Sequence, residues 1–190
     1  DDALRKVNTA NLTWINIPFL LTDAADKVLK AFGIENPQLL SFSDRPHNYR
    51  VTDHEEFIVI EMTMTPESPE MDFQRTENIV FILGKNFLLT LESLPGTISR
   101  AIHNPRLKRL KPRNRHAGFL FYFLIKYTLL DNYENILGYL LQKAEQIDDV
   151  LILEPSRSQK KNILTLREEI QPLRDNMIAL KNIMDLLHAD

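Results

Sequence analysis

The residues whose types and spacing could do chemistry fall in two short stretches. Arg106, Lys108, Arg109, Lys111, Arg113 and Arg115 place six cations between positions 106 and 115, a density that nucleic-acid phosphates or an anionic membrane surface could use. Only His116 stands nearby for base stacking, and Leu107 and Leu110 read as anchors. A solvated connector ahead of a long helix accounts for the charge as well, and no nucleic-acid partner is expected. The second stretch is acidic. Glu145, Asp148 and Asp149 share one helix face at steps of three and four, where like charges repel. They could hold a divalent cation through oxygen ligands or pair with Arg157, Lys160 and Lys161 across the end of a helical hairpin, and the pairing is the expected reading.

No catalytic pattern accompanies them. His47, His54, His103, His116 and His188 show no zinc-ligand spacing, and His54-Glu55-Glu56 lacks the second histidine of the helical metalloprotease motif. The five glycines never cluster into a phosphate-cradling loop, and no serine occupies a nucleophile elbow. Without a cysteine there is neither a disulfide nor a thiolate metal site. The chain is not expected to be an enzyme. Asn11-Leu12-Thr13 matches a glycosylation sequon, which has meaning only behind a secretory signal.

Length and charge bound the rest. The 190 residues suit one domain with a full core. A net charge of −3 and a pI near 6.0 supply no general attraction to polyanions. The absence of cysteine suits a reducing cytosol. Asp1-Asp2-Ala3-Leu4-Arg5 has no signal-peptide core. The most apolar run, from Ala117 to Leu130, is broken by Lys126 and falls short of the roughly 20 residues of a membrane span, so the chain reads as soluble.

These residues must be positioned by two long helices at the C-terminal end and a sheet before them. Phe119, Phe123, Leu130, Tyr133, Leu137, Leu140, Ala144, Ile147 and Leu151 follow a helical rhythm, with Lys126 as its one interruption. Ile163, Leu166, Ile170, Leu173, Met177, Leu180, Met184 and Leu187 do the same. Between them, Pro155 ends the first helix for want of an N–H and Ser156 can cap the second. An antiparallel hairpin is expected, with a bend at Pro172. The second seam runs to Asp190 without a Gly or Pro stop, so the chain is expected to continue.

Ahead of the hairpin, Thr13 to Ile17 reads as a strand ending at Pro18, followed by a helix capped by Thr22 and closed by Gly33. A short helix from Pro37 to Phe42 and a turn at Ser43-Asp44-Arg45-Pro46 come next. Strands are expected over Tyr49 to Thr52, Glu56 to Thr65, Asn78 to Leu83 and Phe87 to Glu92, the last two forming a hairpin about Gly84-Lys85-Asn86. Pro66 to Glu70 reads as a loop, and a short helix follows near Thr97 to His103. Continuous apolar runs such as Phe57 to Ile60 predict strands covered on both faces.

Taken in order, Thr13-Trp14-Ile15-Asn16-Ile17, Phe32-Gly33-Ile34, Phe57-Ile58-Val59-Ile60, Asn86-Phe87-Leu88-Leu89-Thr90, Asp131-Asn132-Tyr133, Ile147-Asp148, Asn162-Ile163-Leu164 and Pro172-Leu173-Arg174 resemble the cytosolic N-terminal domain of CorA-type divalent-cation transporters. The resemblance runs from Thr13 to about Met184. It implies an α+β fold: an αβα sandwich with a mixed β-sheet over residues 1–115, followed by a long antiparallel helical hairpin over 116–190 that leads toward a stalk and membrane region. Family members are homopentamers with two C-terminal transmembrane helices and a Gly-Met-Asn signature at the pore mouth, none of which lies within these residues. The implied role is a regulatory and assembly domain on the cytoplasmic side of a cell-membrane protein. No tightly bound cofactor is implied; Mg2+ or another divalent cation, Co2+ included, is the transported and regulatory ion. A zinc-transporting branch shares the fold, and a soluble module that docks partner helices is the alternative.

The family's regulatory cations bind between subunits, partly through a Leu-Glu-Asp-like step. Here that step is Leu39-Leu40-Ser41-Phe42, which offers a hard cation no carboxylate. Asp44 and Asp131 are the nearest acidic substitutes and the candidate metal ligands. The basic residue after the family's Arg-Pro step is displaced too, since His47 follows Arg45-Pro46.

Overall fold

The computed structural model describes residues 12–18, 23–34, 49–65, 76–93, 96–101, 103–109, 116–153 and 157–188. The short helix expected at 37–42, the turn at 43–46, the loop at 66–70, the cap at 22 and the helix break at 154–156 lie outside them. Strand β1 (Thr13–Pro18) and helix α1 (Asp23–Ala31) come first. Then follow β2 (Tyr49–Asp53), β3 (Phe57–Met64), β4 (Glu77–Gly84) and β5 (Phe87–Glu92). Short helices α2 (Thr97–Ala101) and α3 (Pro105–Arg109) lead to α4 (Ala117–Leu124), a π-helical stretch (Ile125–Leu130), α5 (Asp131–Leu153) and α6 (Arg157–His188).

The sheet order is β1-β5-β4-β3-β2. Strand β1 runs parallel to β5, and every other pairing is antiparallel. The sheet is therefore mixed, since a parallel neighbour needs a long crossover. Its alternation places Ile60, Met62, Met64, Ile79, Phe81 and Leu88 on one face, where the helical hairpin packs. Val59, Val80, Ile82, Leu89 and Leu91 go to the other, where Ala25 and Leu29 of α1 cover them. The apolar runs are covered on both faces, as their composition predicts. Gly84 is required by close approach: a Cβ there would lie 2.2 Å from the ring of Phe87. Helix α1 ends in a Schellman motif, with Gly33 at φ +76°, its N–H on the Lys30 carbonyl at 3.1 Å and that of Ile34 on Leu29 at 3.0 Å.

The first long helix departs from the expected unbroken α-helix. Its N-terminus is capped by His116, whose Nδ1 accepts from the Phe119 amide at 3.1 Å, and one wider turn then spans Ile125–Leu130. That turn resets the helix so that Ile125 and Leu129 on one side, and Tyr133, Ile136 and Leu140 on the other, all reach the same core. Lys126 stays exposed on its outside.

Helices α5 and α6 form the antiparallel hairpin. Lys143 Nζ reaches both oxygens of Glu169 at 2.6 and 2.7 Å. Thr65, just past β3, joins both helices to the sheet: Asn132 Nδ2 donates to its carbonyl at 3.0 Å and Asn176 Nδ2 to its hydroxyl at 3.2 Å. The α6 seam is narrower than its sequence predicts. Leu173, Leu180 and Ile183 are buried, whereas Ile163, Ile170 and Met177 are 43%, 41% and 39% exposed, because the sheet and α5 together cover only one side of the helix. Pro172 sits inside α6, which continues through it.

Candidate functional site

Helix α2, the π-helical turn and the first turn of α5 enclose a cleft of about 190 Å3. Thr97, Arg100 and Ala101 form one wall; Tyr127, Thr128, Asp131, Asn132 and Asn135 form the other. The wider turn is what brings Tyr127 and Thr128 onto the cleft, a placement at functional sites that π-bulges often show. Two acceptors there find no protein partner although buried: Thr128 Oγ1 and Asn132 Oδ1. The Asn132 amide nitrogen is held by Thr65, which leaves its oxygen as the free end. Buried acceptors of this kind call for a water or an ion.

Asp131, one of the two candidate ligands read from the sequence, opens α5 and borders this cleft. Its Oδ2 lies 3.7 Å from Arg106 Nη1, in a pair whose side chains are 47% and 61% exposed, a geometry worth only about 0–1 kcal/mol. The Arg106 guanidinium also lies 5.2 Å from the centre of the Tyr127 ring, and Lys126 Nζ 5.3 Å from it. A cation at Asp131 would have to displace Arg106. One carboxylate is few for a hard cation, which takes six or more oxygen ligands. Among the described residues no group of three or more His, Cys, Asp or Glu side chains could hold a metal. Asp44, the other candidate, lies outside the described residues.

The remaining sequence clusters do not assemble. Glu145, Asp148 and Asp149 are exposed, as are Lys160 and Lys161; the ion pair that crosses the hairpin among the described residues is Lys143–Glu169, further from the joint. Of the six cations, Arg106 packs on the cleft and Arg109 is exposed, while 111–115 lie outside the described residues.

On the sheet side of α2 lies a cluster that motif reading missed. Glu92 is 0% exposed and Glu77 2%. The Glu92 carboxylate accepts from Asn16 Nδ2 at 2.8 Å, Ser99 Oγ at 2.6 Å, and the Gly96 and Ile98 amides at 3.0 and 3.1 Å. Asn16 in turn accepts from Thr90 Oγ1 at 2.6 Å, and Thr90 from Trp14 Nε1 at 3.0 Å. Glu77 receives the Thr97 hydroxyl at 3.2 Å on Oε2 and a hydrogen bond from the Thr97 backbone, its carboxyl lies within hydrogen-bond reach of that of Glu92, and its Oε1 has no donor. Burial, then the charge of Glu92, push the Glu77 carboxyl up to about 7. The available signal was parity: Glu77 shares the inward phase of Ile79 and Phe81, and Glu92 that of Leu88.

The sequence model of the family described as CorA-like Mg2+ transporter protein matches residues 9–190. The chain belongs to the CorA-like Mg2+ transporter family. Within that family, the cobalt/magnesium transport protein CorA of Thermotoga maritima is 26% identical over 180 residues, covering 88% of this chain and 50% of that protein. The chain thus spans about half the length of the curated relative it matches. The complete CorA magnesium transporter from Methanocaldococcus jannaschii shares its fold with a TM-score of 0.71 at 26% identity, over 93% of this chain and 55% of that one. The soluble domain of the same CorA gives 0.69 at 24% identity, over 92% and 69%. The mixed sheet followed by long helices is therefore a CorA soluble-domain fold, as the resemblance implied. No helix among the described residues is long and apolar enough to cross a membrane.

Proposed function

We propose that the chain is the cytosolic regulatory and assembly part of a CorA-like divalent metal ion transporter for Mg2+ or Co2+, working as a homopentamer in the cell membrane. The family match along residues 9–190 carries this reading. Residues 1–115 supply the sheet and 116–190 the hairpin that leads toward stalk and pore. The cleft at Asp131, with the unpartnered Thr128 and Asn132 oxygens beside it, is the place where this chain would sense a cytosolic cation, with Asp44 as the second ligand offered by the sequence. A site with so few carboxylates would answer only to millimolar Mg2+.

Two measurements test it. Reading the natural coding sequence past Asp190 should show a polar helix and then two apolar segments of about 20 residues with Gly-Met-Asn between them; a stop codon there removes the transport reading. Titrating Mg2+ into the chain should protect α5 and the π-turn from proteolysis, and Asp131→Asn should weaken that protection. Equal protection of wild type and variant, or none up to tens of millimolar, would refute sensing at this cleft.

One observation favours the alternative of a module that docks a partner helix. Leu141, Leu164 and Ile178 of the hairpin are 64%, 57% and 51% exposed, the kind of apolar surface that a helix covers. That reading would gain if the natural chain ended near Asp190.

A further inference from the structure

We propose that Glu77 and Glu92 form a buried proton-binding pair beneath α2, which holds one proton between its two carboxyls and loosens α2, together with the cleft wall it forms, when that proton leaves. The pairing is set by the sheet. Glu92 sits opposite Ile79 in the β4–β5 register, and Glu77, two residues earlier on β4, points to the same face. Both carboxyls converge on Gly96-Thr97-Ile98, where the Ile98 amide reaches Glu92 and the Thr97 hydroxyl reaches Glu77.

The division of roles follows from the donors. Four of them end on Glu92, so it is the ionised member. Glu77 is met by Thr97 alone among donors, through its hydroxyl and backbone, has one oxygen without a donor, and lies within hydrogen-bond reach of the Glu92 carboxyl, a setting that suits the neutral acid. No cation relieves it. Among the described residues the ionisable group facing Glu77 is Glu92 alone: Asn16 on β1, Met64 on β3 and Thr97 and Ser99 on α2 are neutral, and Arg100 is exposed on the cleft. Two charged carboxylates side by side in a dry interior cannot both persist, and one takes up a proton.

Losing that proton has a direction. A Cβ on Gly96 would lie 3.2 Å from both Glu77 oxygens, so the backbone closes over the carboxyl and the side chain has no room to turn away. The relief is outward movement of residues 96–98, the start of α2. Thr97 touches Glu77 on one side and lines the cleft on the other, which couples the proton to the cleft.

The signs are definite. Glu77 keeps its proton up to about pH 7 when folded, against 4.5 ordinarily. The folded chain then binds more protons than the unfolded one between those values. This group's contribution to stability is complete below pH 4.5 and lost as pH rises to about 7.

The test uses the 190-residue chain as wild type, Glu77→Gln and Glu92→Gln. Between pH 5 and 8 the melting midpoint of wild type should fall by roughly 5–10 °C relative to Glu77→Gln. The side-chain carboxyl carbon of Glu77, followed by NMR, should titrate near neutrality in wild type and at lower pH in Glu92→Gln. Amide exchange at Thr97 to Ala101, corrected for its intrinsic pH dependence, should speed up above that transition in wild type alone. Parallel melting profiles for wild type and Glu77→Gln, or a Glu77 carboxyl titrating below pH 5, would overturn the proposal. The wild-type carboxyl titration decides it alone should a variant not fold.

Discussion

Four donors converge on the Glu92 carboxylate, and their satisfaction depends on its charge. Glu92→Ala would strand Asn16, Ser99 and the Gly96 and Ile98 amides in a dry interior, and a loss of about 3–5 kcal/mol in urea unfolding is expected. Arg106 makes the opposite kind of contact. Its pair with Asp131 at 3.7 Å is mostly exposed, so Arg106→Ala should change stability by less than about 1 kcal/mol while raising the Mg2+ affinity of the cleft. Calorimetric titration beside Asp131→Asn checks this, and unchanged affinity would argue that Asp131 and Arg106 do not share the cleft with a cation. At Gly33 the φ of +76° makes a side chain costly, and Gly33→Ala should lose about 1 kcal/mol. Asp131 came only as an acidic substitute within the family resemblance, whereas Gly33 was legible in the sequence because local grammar marks it, a glycine closing a helix. Glu77 and Glu92 were not, since a glutamate at a strand end reads as solvated until α2 is seen to cover it.

At the scale of elements, the hairpin is held by a few specific contacts on top of an apolar seam. The Lys143–Glu169 pair has side chains only 29% and 20% exposed, with its ions 2.6 Å apart. A double-mutant cycle with Lys143→Met and Glu169→Gln should give a coupling of about 1 kcal/mol that shrinks in 1 M salt; zero coupling would mean the seam alone holds the helices. Asn176→Ala removes the Thr65 contact and should destabilise by about 1–3 kcal/mol, seen as faster amide exchange where α6 meets β3. Strand positions and both long helices followed from periodicity and turn chemistry. The π-turn did not, because the apolar spacing around Lys126 suits an interrupted α-helix equally well. Only the demand that Ile125, Leu129 and Tyr133 reach one core selects the wider turn.

For the molecule as a whole, two helical layers and a mixed sheet bury one apolar cluster on each sheet face, and the two faces have different work. The α1 face is mostly apolar, and its polar residues Arg50 and Glu61, and Thr63 and Asn78, pair with one another. The hairpin face carries the polar network from Trp14 to Glu92, the Thr65 contacts and the cleft, so pH and cations are expected to act on α2 and α5 and to leave α1 unchanged. Site-resolved exchange at pH 6 and 8 tests that asymmetry. By itself the sequence determined the element order, the two-sided burial of the strands, the helical hairpin and the family, because each is written in spacings of a few residues or in motifs met in order. Tertiary structure alone decided the parallel return of β5 to β1, which side of α6 stays open, the placing of Thr97 and Arg100 across the cleft from Thr128 and Asp131, and the meeting of Glu77 with Glu92. Those depend on which faces are brought together across the chain, and local spacing carries no record of that.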